Sequence, residues 1–344
     1  MPGQPPVSGR VLADYFSRAF SEFRQSGAKL SIVCSSSPAA HRQNGLPTPI
    51  PPRIRPRTLI VLDSSFNPPT RAHLRMAVSS IRHLVNKNKN RNGQLQPLDT
   101  LRLLLLLSIN NADKAPKPAA FDQRLAMMWA FARDLQRQLQ SDSDAEGVEG
   151  GQEEEQGGLT ADLGLSTLPY FHEKSAAIAE SDFYYGHAAG DGDGDGDGGM
   201  DQLMLVGYDT LIRIFNPKYY HSSSTDDGPA TTPMQQALDP LFARARLRMV
   251  MRADDEWGSA TEQRAYLADL LEADGLSRVG GRKEWASRIE IEMVEGGRGA
   301  GAQDVAVSST YARAAARDGD SQRLDKMVSP SVRQWIEQEG LYTE

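Results

Sequence analysis

The segment Ser64-Ser-Phe-Asn-Pro-Pro-Thr-Arg-Ala-His73 sets hydroxyls, a proline pair and an imidazole directly behind an apolar run. Backbone N–H groups of Ser64 and Ser65 would sit at the carboxyl end of a strand, and Pro68 and Pro69 stiffen the turn by fixing φ. Thr70 suits the N-cap of a following helix. His73 lies three residues on and shares its face. A helix N-terminus offers unpaired N–H donors and partial positive charge, which suits a phosphate. A histidine beside it can stabilise charge on a transferring phosphoryl group. The same residues also make an ordinary strand–turn–helix junction with a surface histidine.

A second segment of this kind is Val307-Ser-Ser-Thr-Tyr-Ala-Arg313, ahead of the helix-forming run Ala314–Arg317. Ser308, Ser309 or Thr310 can cap that helix, and its free N–H groups make a second anion cradle. Arg313, near the first turn, can take phosphate oxygens in a bidentate grip. A plain Ser/Thr cap with a solvent-facing arginine accounts for the same residues. Three weaker features accompany the two segments. Gly207 and Asp209 close an apolar run, where glycine allows close approach of a ribose or base and Asp209 can bond hydroxyls. Lys114, Lys117, Arg124 and Arg252 are cations that could neutralise ligand phosphate. Trp285 offers a ring for stacking, or for the core.

Together the motifs resemble the nicotinamide mononucleotide adenylyltransferases of the nucleotidylyltransferase superfamily. Ser64–His73 is similar to that family's Gly-Ser-Phe-Asn-Pro-Pro-(His/Thr)-x-x-His signature, and Ser308–Arg313 to its Ile-Ser-Ser-Thr-x-x-Arg motif. The resemblance implies that Ser64, Ser65, Phe66 and Asn67 line the ATP site and that His73 contacts the ATP phosphates. Thr70 takes the place of the first histidine. Ser308, Ser309, Thr310 and Arg313 would hold the β- and γ-phosphates, and Gly207-Tyr-Asp209 looks like the Gly-x-Asp element. Ser64 stands where the family has glycine. The wider pattern, with Asn110-Asn-Ala-Asp-Lys114 and Pro217-Lys-Tyr-Tyr220, looks most like a fungal branch to which ATP hydrolysis and a link to protein quality control are attributed. The implied reaction joins ATP to nicotinamide mononucleotide, giving NAD and pyrophosphate, with Mg²⁺ carried by ATP rather than held in a protein metal site. Hydrolysis of ATP, transfer to another acceptor, and a non-catalytic nucleotide-binding adaptor are the alternatives.

The elements that must position these residues follow from patterning. Thr58–Asp63 and Leu101–Ser108 are continuous apolar runs of the kind found in parallel strands covered on both faces. Further strands are expected near 163–168, 202–206, 247–252 and 289–294. Helices are expected at 11–27, 71–86, 121–140 and 261–272. Alternation of this kind implies an α/β fold with a Rossmann-like, doubly wound parallel sheet. Residues 1–57 read as an N-terminal helix, a short strand and a Pro/Ser-rich linker, and 58–344 as the nucleotide-binding domain. Three acidic or Gly-rich inserts, 141–158, 188–199 and 221–233, are expected to be disordered. The Asp-Gly repeat begins like a calcium loop at Asp191, Asp193 and Asp195, but Gln202 stands where a bidentate Glu is needed.

Composition narrows the classes. The formal charge of −7 argues against nucleic acid as a partner, since phosphate backbones reward a basic face. The apolar run Leu101–Leu107 is far short of the roughly 20 residues of a spanning helix, so no membrane role is expected. Cys34 is the one cysteine, which excludes an intramolecular disulfide. With no signal-like N-terminal run, the expected location is the cytoplasm or nucleus, while protein partners are left open.

Overall fold

A computed structural model describes residues 9–38, 46–92, 98–110, 119–145, 158–185, 199–220, 231–250, 259–272, 274–292 and 307–343. In chain order the elements begin with α1 (Gly9–Ser26), β1 (Leu30–Ser36), β2 (Thr58–Ser64), α2 (Arg71–Asn92), β3 (Leu101–Ser108), α3 (Phe121–Ala145) and β4 (Thr160–Ser166). Next come α4 (Phe171–Ala179), α5 (Asp182–Tyr185), β5 (Asp201–Val206), α6 (Tyr208–Ile214), α7 (Pro233–Arg244), β6 (Ala245–Val250), α8 (Ala260–Leu271), α9 (Gly275–Arg278) and β7 (Ile289–Glu292). The chain closes with α10 (Ser309–Arg317), α11 (Ser321–Met327) and α12 (Pro330–Gln338). Strands and helices alternate as the apolar patterning implies, and the class is α/β.

The chain forms two compact units. The first comprises Met1–Pro169, Ser181–Gly194 and Val307–Glu344, and the second Tyr170–Glu180 and Asp195–Ala306. The boundary expected at residue 57 therefore runs through the first unit. Its strands lie in the order β1-β4-β3-β2. β2 pairs with β3 in parallel, Thr58 opposite Leu101, and β3 pairs with β4 in parallel. Leu59–Leu62 and Leu103–Leu107 are fully buried, as strands covered on both faces require. β1 departs from the all-parallel expectation: it runs antiparallel to β4 at the edge. Gly27, at φ +68°, ends α1 in the left-handed conformation that glycine adopts without a Cβ clash. The chain can then reverse directly into β1.

Long-range contacts close this unit. α1 buries Leu12, Phe16 and Phe23, and Phe20 stacks on Phe121 of α3 with centroids 4.9 Å apart. Beneath the sheet, Asp162 accepts from Arg102 Nε at 2.6 Å, Arg102 Nη2 at 2.8 Å, Ser35 Oγ at 2.6 Å and Tyr184 at 3.1 Å. Arg102 also donates to the Ile50 carbonyl. The Pro-rich stretch is thus tied down over its described part, where Ser35 and Thr48 form an antiparallel bridge.

In the second unit β5, β6 and β7 are parallel, with Gln202 opposite Ala245 and Leu247 opposite Ile289. A ladder of ion pairs crosses them. Arg246 meets Asp201 and Glu290, and Arg248 meets Glu290 and Glu292. Two insert boundaries shift. Residues 141–145 continue α3. Thr232 and Pro233 start α7, because Thr232 Oγ1 accepts from Gln235 N–H while the Gln235 side chain accepts from Thr232 N–H. Residues 146–157 and 221–230 of those inserts and the calcium-like repeat at 191–196 lie outside the described residues. Within the described residues no helix is long and apolar enough to cross a membrane.

Candidate active site

β2 delivers its chain end to a sharp turn. Phe66 there is fully buried with φ +42°, a left-handed conformation that a bulky side chain rarely takes. The Asn67–Pro68 peptide bond is cis. Thr70 is fully buried at the head of α2, and its carbonyl accepts the Leu74 N–H at 3.1 Å. Thr70 N–H lies 3.0 Å from His73 Nδ1 and Thr70 Oγ1 lies 2.9 Å from it. A backbone N–H can only donate, so Nδ1 is the acceptor and the neutral ring carries its proton on Nε2. Ser64 Oγ is 3.0 Å from Nε2 and receives that N–H. The turn thus locks the imidazole with its donor facing the end of β2, where Ser108 of β3 donates to Asp63 Oδ1 at 2.8 Å.

The second segment docks on this turn. Ser308 caps α10, its Oγ accepting from Tyr311 N–H at 3.2 Å. Ser309 Oγ donates to the Pro68 carbonyl at 2.8 Å. Arg313 Nη1 donates to the Asn67 carbonyl at 2.9 Å, and its Nη2 lies 3.3 Å from Thr310 Oγ1. The two motifs, far apart in sequence, form one structure in the first unit. Arg313 holds the turn through a backbone carbonyl, a contact the motif alone does not announce.

Arg124 joins them from α3. It is buried, with Nε on the Ala119 carbonyl at 2.9 Å, Nη1 3.5 Å from the Ser65 carbonyl, and its guanidinium over the Phe121 ring. Burial lowers its pKa, and the charge of Arg313 adds to that while Tyr342 opposes it. Tyr342, which the motifs do not flag, also reaches the turn: its hydroxyl donates to Asn67 Oδ1 at 2.8 Å. A glycine stop at Gly340 followed by one aromatic carries no signal of that contact, because the contact depends on how α12 packs.

Other sequence candidates lie in the second unit. Gly207 is the N-cap of α6, its carbonyl accepting from Leu211 N–H, and Asp209 sits in the first turn. Trp285 is a core residue: it is buried, stacks on Phe242 with centroids 5.0 Å apart, and donates its indole N–H to Asp239 at 3.2 Å. That packing is the core reading of the ring, with Phe242 against one face. Lys114, Lys117 and Arg252 lie outside the described residues. No group of three or more His, Cys, Asp or Glu among the described residues is placed to hold a metal ion.

No protein-family model matches the chain. It is homologous to a protein of Schizosaccharomyces pombe named "Putative nicotinamide mononucleotide adenylyltransferase", 28% identical over 276 residues, which are 80% of this chain and 82% of the relative. Among solved structures, a Plasmodium falciparum nicotinic acid mononucleotide adenylyltransferase complexed with APC superimposes with a TM-score of 0.38 at 11% identity. That match covers 83% of this chain and 98% of the other. A second structure of the Plasmodium enzyme, with NaAD, gives a TM-score of 0.37 at 11% identity, with the same coverage.

Proposed function

We propose that this homologue of the Schizosaccharomyces protein is an adenylyl-transferring enzyme of the nucleotidylyltransferase superfamily, which moves AMP from ATP to a pyridine mononucleotide, nicotinamide mononucleotide first among them, to release pyrophosphate and NAD. The observation that carries the reading is the interlock of the two phosphate-type motifs, Arg313 on Asn67 at 2.9 Å and Ser309 on Pro68 at 2.8 Å. Neither motif alone exceeds an ordinary helix start. Their junction sets two helix N-termini and an imidazole donor about one turn.

In this reading a phosphate oxygen of the mononucleotide attacks the α-phosphorus of ATP in line, and the bond to the pyrophosphate oxygen breaks. No protein group is covalently modified. The chain contributes position and charge, as phosphoryl transfer requires. His73 donates from Nε2 to the phosphate oxygens, the site at which Ser64 Oγ now accepts. Ser65 and the N–H groups of the turn hold the α-phosphate region. Thr310, the α10 N-terminus and the remaining donors of Arg313 hold the leaving pyrophosphate. Mg²⁺ would arrive on ATP and neutralise its phosphates; the donor set fits that, since serines, threonine, histidine and arginine dominate it.

One observation favours a second reading, ATP hydrolysis. The Ser64 hydroxyl occupies the space beside His73 Nε2 that the related signature leaves to glycine, and it offers a bond to an acceptor as small as water. Incubation of the purified protein with ATP, Mg²⁺ and nicotinamide mononucleotide, or its nicotinate counterpart, decides between them. NAD or its nicotinate analogue with stoichiometric pyrophosphate supports the proposal, and AMP with pyrophosphate, or free phosphate, formed without dinucleotide replaces it with hydrolysis. Neither product, with ATP still bound, leaves the adaptor.

A further inference from the structure

The segment after α12 returns to the signature turn. Gly340, at φ +58°, stops the helix, and Leu341 N–H closes back on the Ile336 carbonyl at 3.0 Å. Tyr342 follows at φ +68° and places its hydroxyl 2.8 Å from Asn67 Oδ1. Among the described residues, two that are not glycine have positive φ, Phe66 and Tyr342. Both bear on Asn67: Phe66 precedes it in the chain and Tyr342 bonds its side chain. Left-handed backbone at a bulky residue is unfavourable and persists where surrounding contacts over-determine it, often around functional groups. Asn67 is buried, and its own carbonyl is the one that Arg313 holds.

We propose that Tyr342 is a positioning residue for the adenylyl-transfer site, fixing the Asn67 amide so that the turn presents one arrangement to the nucleotide. The inference rests on the adenylyl-transfer reading. A phenol that donates to Oδ1 decides which way the Asn67 amide faces, and so where its Nδ2 donors point. Burial pushes the phenol pKa up, more than Arg124 and Arg313 pull it down, so the hydroxyl keeps its proton and remains a donor. Tyr342 thereby ties the segment that follows α12 to the site.

The test is a double-mutant cycle on the full chain. Tyr342→Phe keeps the ring and removes the donor. It should lower kcat about fivefold, with KM for ATP within about twofold, and lower the melting temperature modestly while the chain stays folded, because the buried Asn67 oxygen loses this donor. Asn67→Ala should lower kcat as well, and the double variant should be no slower than Asn67→Ala alone, because both substitutions break the same bond. If Asn67→Ala does not fold, Asn67→Asp, which keeps the acceptor, takes its place: Tyr342→Phe should then still cost about fivefold in its background. Unchanged kcat in Tyr342→Phe, or independent multiplication of the Tyr342→Phe and Asn67→Ala losses, overturns the inference while adenylyl transfer stands. Failure of the wild-type chain to bind ATP in calorimetry overturns the reading beneath it, and the inference with it.

Discussion

At the scale of single residues, the imidazole of His73 is oriented before any ligand arrives. Thr70 N–H and Oγ1 converge on Nδ1 at 3.0 and 2.9 Å, so the ring keeps its proton on the nitrogen that faces Ser64. A preorganised donor of this kind costs no reorganisation during reaction. His73→Ala should therefore lower turnover at least about tenfold while the protein stays folded. A steady-state assay with a circular dichroism control checks it, and unchanged turnover would remove His73 from the reaction. Thr70→Val should cost less, about two- to fivefold, because the backbone N–H still holds Nδ1. The histidine and its spacing to Thr70 are readable in the chain; the tautomer is not, since it depends on the φ and ψ of the turn.

Elements set the limits of what patterning reveals. β2, β3 and α3 lie close to where continuous apolar runs and helical spacing place them. The start of α7 was hidden inside a polar stretch, because a capping box uses the same Ser, Thr and Pro residues that make loops. Thr232 also donates to the Gly280 carbonyl. Thr232→Ala should cost about 1–2 kcal/mol, measured as a lower urea midpoint with an unchanged slope. In α4, His172 packs against Tyr170 with ring centroids 5.6 Å apart, and burial lowers its pKa, with Glu173 opposing. The unfolded chain then binds the proton more readily than the folded one. Stability should fall as pH drops through the unfolded value near 6.5 toward the depressed folded one. Urea titrations at pH 7.5 and 5.5 should show a loss that His172→Gln reduces.

For the whole molecule, the first unit is tied by a buried charge cluster far apart in sequence. Arg102 and Asp162, with side chains 8% and 0% exposed, join β3 to β4, and Ser35 and Tyr184 bring β1 and α5 to the same carboxylate. A buried pair is weak evidence for stability, yet removal of one partner leaves an uncompensated charge. Asp162→Asn should cost about 3–5 kcal/mol in a denaturant titration. Cys34 reports the same event. It is fully buried, and burial first and Asp162 second hold its thiol well above the usual range. It should resist alkylation in the wild type and react faster in Asp162→Asn, as mass spectrometry of the single adduct would record.

The chain by itself determined the α/β alternation, the two phosphate-type motifs and the order in which they occur. Each of these is local: a run of apolar residues or a cap is written in consecutive positions. The tertiary structure alone decided that β1 runs antiparallel, that Trp285 is core, that Arg313 grips Asn67, and that Tyr342 reaches the same residue. Those contacts join positions up to 275 residues apart, as Tyr342 and Asn67 are. Such pairing follows from which faces the helices and strands bury together, and no spacing of neighbouring residues records it.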